Sequence, residues 1–250
     1  MSRESAFVRC LWLPVNGVQL AFTLAWSAFW ISVALLVALL VRNPGAQIWL
    51  ARRVWAPGLV YGAGARLTVT GLERLAPGRA YLVVANHSSW IDIAALYMAL
   101  PVPLHFLAKR ELANVPFLGW YIRAMGMVLV DRRDPRRAHA TVELAQGLLA
   151  AGRSVVSFPE GTRSRDGRVG RFKSGGFGAA LESGAAVLPV GLVGARAVLP
   201  ADGFRVRPGR IEVRIGEPIG TAEHGREARA ALARRAEEAV RELVGGRAPA

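Results

Sequence analysis

The chain has 250 residues, 52% of them hydrophobic, with 32 Lys+Arg against 18 Asp+Glu and a formal charge of +14 at pH 7. This length suits one α/β domain plus an additional segment, and the apolar content excludes a disordered chain. A single cysteine, Cys10, excludes a disulfide framework and a Cys-rich zinc module, which leaves nucleic acid or an anionic membrane as the partner of so basic a chain.

No charged residue occurs in residues 10–41. Within that stretch residues 18–41 read VQLAFTLAWSAFWISVALLVALLV. As a helix rising ~1.5 Å per residue this segment reaches about 36 Å, enough to cross a ~30 Å hydrocarbon core. A secretory signal peptide has a shorter apolar region and a small-residue cleavage site, whereas VRNPG follows here. Residues 44–64 mix apolar side chains with Arg52 and Arg53, and five of the seven tryptophans lie before residue 56. Tryptophan favours the membrane–water boundary, so 44–64 is predicted to be an interfacial helix folding back from the first. Either the first helix spans, or both lie in one leaflet as a hairpin. Arg42, Arg52, Arg53 and Arg66 after the apolar stretch outnumber Arg3 and Arg9 before it. That bias places the remaining chain on the cytoplasmic side, and the expected location is an inner or cytoplasmic membrane.

Beyond Arg66, short β-rich runs alternate with helical segments. Strands are predicted at 67–70, 81–85, 104–108, 127–130, 154–157, 186–192 and 211–215, and helices at 91–99, 135–151, 175–183 and 227–244. Pro101, Pro103, Gly119, Gly152 and Gly184 punctuate them. Such alternation predicts an α/β sandwich around one largely buried sheet. The terminal GGRAPA reads as a frayed tail.

Four constellations carry possible chemistry. Asn86-His87-Ser88-Ser89-Trp90-Ile91-Asp92 follows the apolar run YLVVA and opens a helix. His87 suits a base near neutral pH, and Asp92, turning back across the loop, would fix its tautomer. The plainer alternative is a structural histidine beside a helix cap. Phe158-Pro159-Glu160-Gly161-Thr162-Arg163-Ser164 follows SVVS. There glycine permits close approach of a ligand, Arg163 can grip a phosphate with two donors, and Glu160 can accept from a hydroxyl or orient the arginine. The loop beyond it holds Arg163, Arg165, Arg168, Arg171 and Lys173 against one acid, Asp166, which makes it an anion site unless it is simply a solvated basic loop. Lys109-Arg110-Glu111-Leu112 should project from a strand end. Val187-Leu188-Pro189-Val190 is an apolar strand whose proline should sit at a sheet edge or strand entry.

Together NHSSWID, KREL with PFLGW, FPEGTRS with FKSGGF, and LPV resemble, in order and spacing, the motifs of glycerolipid acyltransferases of the 1-acyl-sn-glycerol-3-phosphate type. The resemblance covers residues 67 to about 219. GMVLVDRRD is similar to a further element of that family, with Leu129 in an aromatic place, and Leu188 replaces the commoner Val. It implies an acyltransferase-type α/β sandwich over 66–250 behind a membrane-embedded helical segment over 1–65. It also implies transfer of an acyl chain from acyl-CoA or acyl carrier protein to the 2-hydroxyl of lysophosphatidic acid. His87 is then the base and Asp92 its orienting partner. Arg163 meets the acceptor phosphate, with Lys109 and Arg110 nearby, and Glu160, Gly161 and Thr162 shape the acceptor pocket. No metal and no cofactor beyond the acyl donor are implied. The partners implied are the lysolipid, the acyl carrier and membrane lipids, and not nucleic acid. Another acceptor, such as a lyso-ornithine lipid, and a non-catalytic lipid-binding protein are the alternatives.

Overall fold

Short apolar or alternating runs become the strands β1 Ala65–Thr70, β2 Tyr81–Ala85, β3 Leu104–Lys109, β4 Val128–Val130, β5 Ser154–Ser157, β6 Ala186–Val193 and β7 Gly209–Ile215. The structure is a computed structural model that describes residues 6–41, 44–130, 135–221 and 226–246. Arg3, Arg42, the DRRD run at 131–134 and the tail from 247 therefore lie outside the described residues.

Among the described residues the strands form one sheet in the order β1-β7-β6-β2-β5-β3-β4. All neighbours are parallel except β6 and β7. Helices cover both faces, so β2 is buried at every position. Tyr81, Val83 and Ala85 point into a cluster containing Ala56, Val60 and Leu96. Leu82 and Val84 point the other way, toward Leu149, Ala180 and Ala236. The first face carries α2 Pro44–Leu50, α3 Ala56–Gly62 and α4 Ile91–Ala99. The second carries α6 Pro135–Ala150, α7 Gly178–Ser183 and α9 Arg226–Gly245. The short helices α5 Leu118–Ala124 and α8 Ala195–Val198, absent from the sequence reading, lie after β3 and β6.

Pro189 does not sit at an edge. It lies on β6 in the middle of the sheet, opposite Val84 of β2. Its carbonyl accepts from Gly216 N (2.9 Å) on the β7 side, and a residue's N–H and C=O point to the same neighbour. The missing donor thus faces β7, where the pairing is irregular. Val187 pairs with Ile219 and Val190 with Ile215, which leaves residues 188–189 opposite 216–218. This bulge accommodates the proline without removing a β2–β6 bond.

The N-terminal helix α1 spans Ala6–Val41. Residues 12–41 are long and apolar enough to cross a membrane, and only 6% of their most apolar window is buried, unlike a core helix. The returning chain runs through α2, a π-helical turn at Ala51–Trp55, and α3. Gln19 Nε2 donates to Gly62 O (2.7 Å), Trp26 Nε1 to Trp55 O (3.1 Å) and Trp55 Nε1 to Ser27 Oγ (3.2 Å). Phe22 and Trp26 stack on each other and press against Gly62 and Gly58, where an added Cβ would come within 2.4 and 2.3 Å of the rings. The second helix is not purely interfacial, because Ala56 and Val60 are fully buried in the domain core. The start of α1 also meets the domain. Asn16 Oδ1 accepts from Val206 N (2.8 Å), and Arg207 stacks over Trp12 at 4.1 Å. Leu36, Leu39, Leu40 and Trp49, at the far end, are exposed.

Candidate active site

At the end of β2 the backbone leaves the sheet, and a side chain replaces its pairing. Asn86 Nδ2 donates to Leu192 O (2.9 Å) and Oδ1 accepts from Leu192 N (2.7 Å). This amide imitates a neighbouring strand and frees the chain to turn at His87. The turn lies at the carboxyl ends of the parallel strands β2, β5 and β3, where open α/β sheets bind ligands.

Asp92, in the first turn of α4, is wholly buried. Its Oδ2 accepts from Ser88 N and Ser89 N (2.8 Å each) and lies 2.9 Å from His87 Nδ1. An ionised carboxylate only accepts, so Nδ1 carries the proton and Nε2 presents a lone pair. Two backbone bonds lock the carboxylate, and the carboxylate locks the ring. Phe158 stacks on the imidazole at 4.0 Å and 16° and closes its other side.

The loop after β5 grips the same residue from both ends of its peptide. Glu160 Oε1 accepts from His87 N (2.8 Å), and Ser164 N donates to His87 O (2.7 Å). Glu160 Oε2 accepts from Gly170 N (3.0 Å), which fastens the basic loop as well. Gly161 turns the chain at φ +83°, a conformation that glycine adopts without strain, and its N–H returns to Phe158 O. Burial pushes the Glu160 carboxyl above the usual carboxylate range, against the pull of the two N–H donors. Glu160 thus binds backbone rather than orienting the arginine.

Arg163 lies over the Trp90 ring at 4.0 Å. Burial lowers its pKa, and the Asp92 charge opposes that shift. Its Nη1 is buried and makes no hydrogen bond among the described residues. The site therefore holds an oriented base and, beside it, a guanidinium with a donor to spare. That pairing suits deprotonation of a hydroxyl on an anionic molecule. Thr162 is exposed next to it. Lys109 stands two strands from β2, at the end of β3, largely exposed and paired with Glu111 Oε1 at 3.1 Å. Arg110 opens the 3₁₀ turn Arg110–Asn114 that follows. His87, Asp92, Glu160 and Arg163 form one connected group, whereas Lys109 and Arg110 stand two strands away at the end of β3. Asn86, Trp90 and Phe158 belong to that group too. They stand inside the sequence motifs, where aromatic residues beside His and Arg were the available signal for a role.

A family model described as acyltransferase matches residues 66–193. The chain is 36% identical over 169 residues to a chloroplast 1-acyl-sn-glycerol-3-phosphate acyltransferase of Arabidopsis thaliana, a match covering 67% of this chain and 47% of that one. It spans about half the length of that relative. A 1-acyl-sn-glycerol-3-phosphate acyltransferase of Pseudomonas aeruginosa is 34% identical over 199 residues, covering 79% of this chain and 76% of its own. The crystal structure of a 1-acyl-sn-glycerophosphate acyltransferase from Thermotoga maritima superposes with a TM-score of 0.77 at 26% identity, covering 94% of this chain and 98% of that one.

Proposed function

The chain belongs to the acyltransferase family, and from that premise we propose that it acylates the 2-hydroxyl of 1-acyl-sn-glycerol-3-phosphate to give phosphatidic acid. His87 Nε2 takes the hydroxyl proton as the oxygen bonds to the carbonyl carbon of the thioester donor. The C–S bond then breaks, and the imidazolium returns the proton to the departing thiolate. Asp92 keeps the ring in the required tautomer and stabilises the imidazolium while it exists. Arg163 receives the acceptor phosphate on its guanidinium, and Lys109 supports the phosphate or the oxyanion. The observation that carries this reading is the 2.9 Å His87–Asp92 bond, held by the same loop that presents Arg163. Relatives of that named activity at 34–36% identity support the choice of acceptor.

The N-terminal helices bring the site to its lipid. Both ends of the helical hairpin meet the domain, through Asn16 and through α3 and β1, while its exposed tip is apolar. This supports a hairpin that enters a cytoplasmic or inner membrane from the cytoplasmic side, with residues 66–250 as the catalytic part. The test is to incubate the purified full-length protein with acyl-CoA or acyl carrier protein and a panel of lysolipids, and to identify the product by mass. Phosphatidic acid as the dominant product supports the reading. Acylation of a phosphate-free lysolipid alone overturns the acceptor.

A further inference from the structure

Across the sheet from the N-terminal helices, a second basic feature lies outside the site described above. The chain after Gly170 runs against α9 and forms a cleft of about 790 Å³. Arg171 and Lys173 project from one wall, and Arg234 and Arg241 from the other. Among the described residues that line it only Glu237 opposes them, and it is already engaged. Its Oε2 accepts from Phe172 N (2.7 Å) and its Oε1 pairs with Arg241 (2.8 Å), which ties the two walls together. Arg171, Lys173 and Arg234 make no ion pair among the described residues. Four cations gathered in one concavity with a single acid repel each other, so a cleft of this kind stabilises a polyanion that enters it. The cleft is also connected to the chemistry, because Lys173 N donates to Pro159 O (3.0 Å) and Gly170 N to Glu160 Oε2.

We propose that this cleft binds the phosphorylated nucleotide end of a coenzyme A thioester, and so is the donor's docking site. The inference rests on the acyl-transfer reading above and adds to it where the donor's carrier sits. Three observations select this occupant. Phe172 and α9 pack on the second face of the sheet, whereas the N-terminal hairpin and α4 pack on the first. A membrane lipid headgroup approaches from the first face, so a ligand of the cleft arrives from water. The volume lies within the ~300–1,000 Å³ range of small-molecule sites. The cations line two walls of one concavity, whereas an acidic carrier protein would need them spread over a face burying about 800 Å². The acceptor's alkyl chain then stays on the membrane side and the nucleotide on the water side. The pantetheine arm crosses the sheet edge between them to reach His87.

The test uses full-length protein in detergent micelles, first by calorimetric binding of coenzyme A and of dephospho-coenzyme A, which lacks the 3′-phosphate, without turnover. Lys173→Ala and Arg234→Ala are each expected to weaken coenzyme A binding about 3- to 10-fold, the double variant more, and to shrink the preference for the 3′-phosphate. The KM for acyl-CoA rises in parallel while the KM for the lysolipid stays put. Arg79→Ala removes an equal charge ahead of β2, at the opposite end of the strands, and is the control. Melting curves establish that the variants fold. Unchanged coenzyme A binding in the double variant, or no binding to the unsubstituted protein, overturns the proposal. So does an effect confined to acyl carrier protein as donor, which would assign the cleft to a protein partner. If no lysolipid is acylated at all, the acyl-transfer reading fails, and the coenzyme A isotherms still decide the cleft.

Discussion

His87 is held at four points: by Asp92 at Nδ1, by Phe158 on its ring face, by Glu160 at its N–H and by Ser164 at its carbonyl. Replacing His87 with Ala should lower kcat by about 10²–10⁴-fold with little change in acceptor KM, since the imidazole acts on the proton in flight. Asp92→Asn should come close to this, because an amide that turns its NH₂ toward Nδ1 disfavours the working tautomer; near-normal turnover in either variant would end the mechanism. For Arg163→Ala the loss of a charge-assisted bond of about 1.5–3 kcal/mol predicts roughly a 10- to 150-fold fall in kcat/KM for the acceptor. Arg165→Ala, at an exposed position in the same loop, should cost far less. Glu160 gives a pH signature. Its folded pKa is raised, so the native state holds the proton more tightly than the unfolded chain. Stability linked to it is full below about pH 4.5 and falls as pH rises through the raised value. Glu160→Gln should flatten that part of a melting-temperature profile while placing an amide NH₂ against Gly170 N–H. The motifs made His87, Asp92 and Arg163 legible because local spacing brings them to strand ends. The bond of Glu160 to a backbone N–H 73 positions away was not legible, since no local pattern encodes it.

The inner strands were readable as short apolar runs, and β1 and β7 as alternations of apolar with polar residues. What failed was the inference from Pro189, whose tolerance in mid-sheet depends on a bulge made by residues 216–218, distant in sequence. Helix α5 was hidden for a related reason. It is short, and it begins at a tight approach where a Cβ on Gly119 would lie 2.0 Å from Ala113 O. Strand β3 carries an element-scale prediction. His105 is buried, with Nδ1 3.2 Å from Gly126 O and no partner for Nε2 among the described residues, and burial lowers its pKa. The unfolded chain binds the proton more readily. Stability linked to His105 is therefore complete above about pH 6.5 and is lost as pH falls below that value. His105→Asn should remove this acid-side slope in denaturant titrations; an unchanged slope would assign it elsewhere. In the hairpin, Gly58→Ala drives a methyl into the Trp26 ring and should destabilise the α1–α3 contact by about 1–3 kcal/mol, visible as altered tryptophan emission.

At the scale of the molecule, a sheet covered on both faces separates the N-terminal hairpin from α9, and the candidate reactive groups sit on its carboxyl edge. Because Ala56 and Val60 belong to the core, removing residues 1–65 would strip the domain as well as the anchor. Charge inserted at the tip is the cleaner probe. Leu39→Arg with Leu40→Arg, each costing about 2.5–3.5 kcal/mol in a bilayer, should release the protein into the soluble fraction, whereas a high-salt wash of the parent should not. Retention of the double variant would mean that attachment lies elsewhere. The outermost strand adds a constraint in time. β1 emerges from the ribosome directly after the hairpin, yet its one neighbour among the described residues is β7, and Gly209 lies 139 positions after Thr70. At ~5–20 residues per second of synthesis this strand waits roughly 7–28 s with a bare hydrogen-bonding edge. Such an edge templates aggregation. If α1 enters a bilayer as proposed, early capture of the hairpin would keep nascent chains apart through that interval, and the proposed anchor would shield the unfinished chain as well as place the finished site.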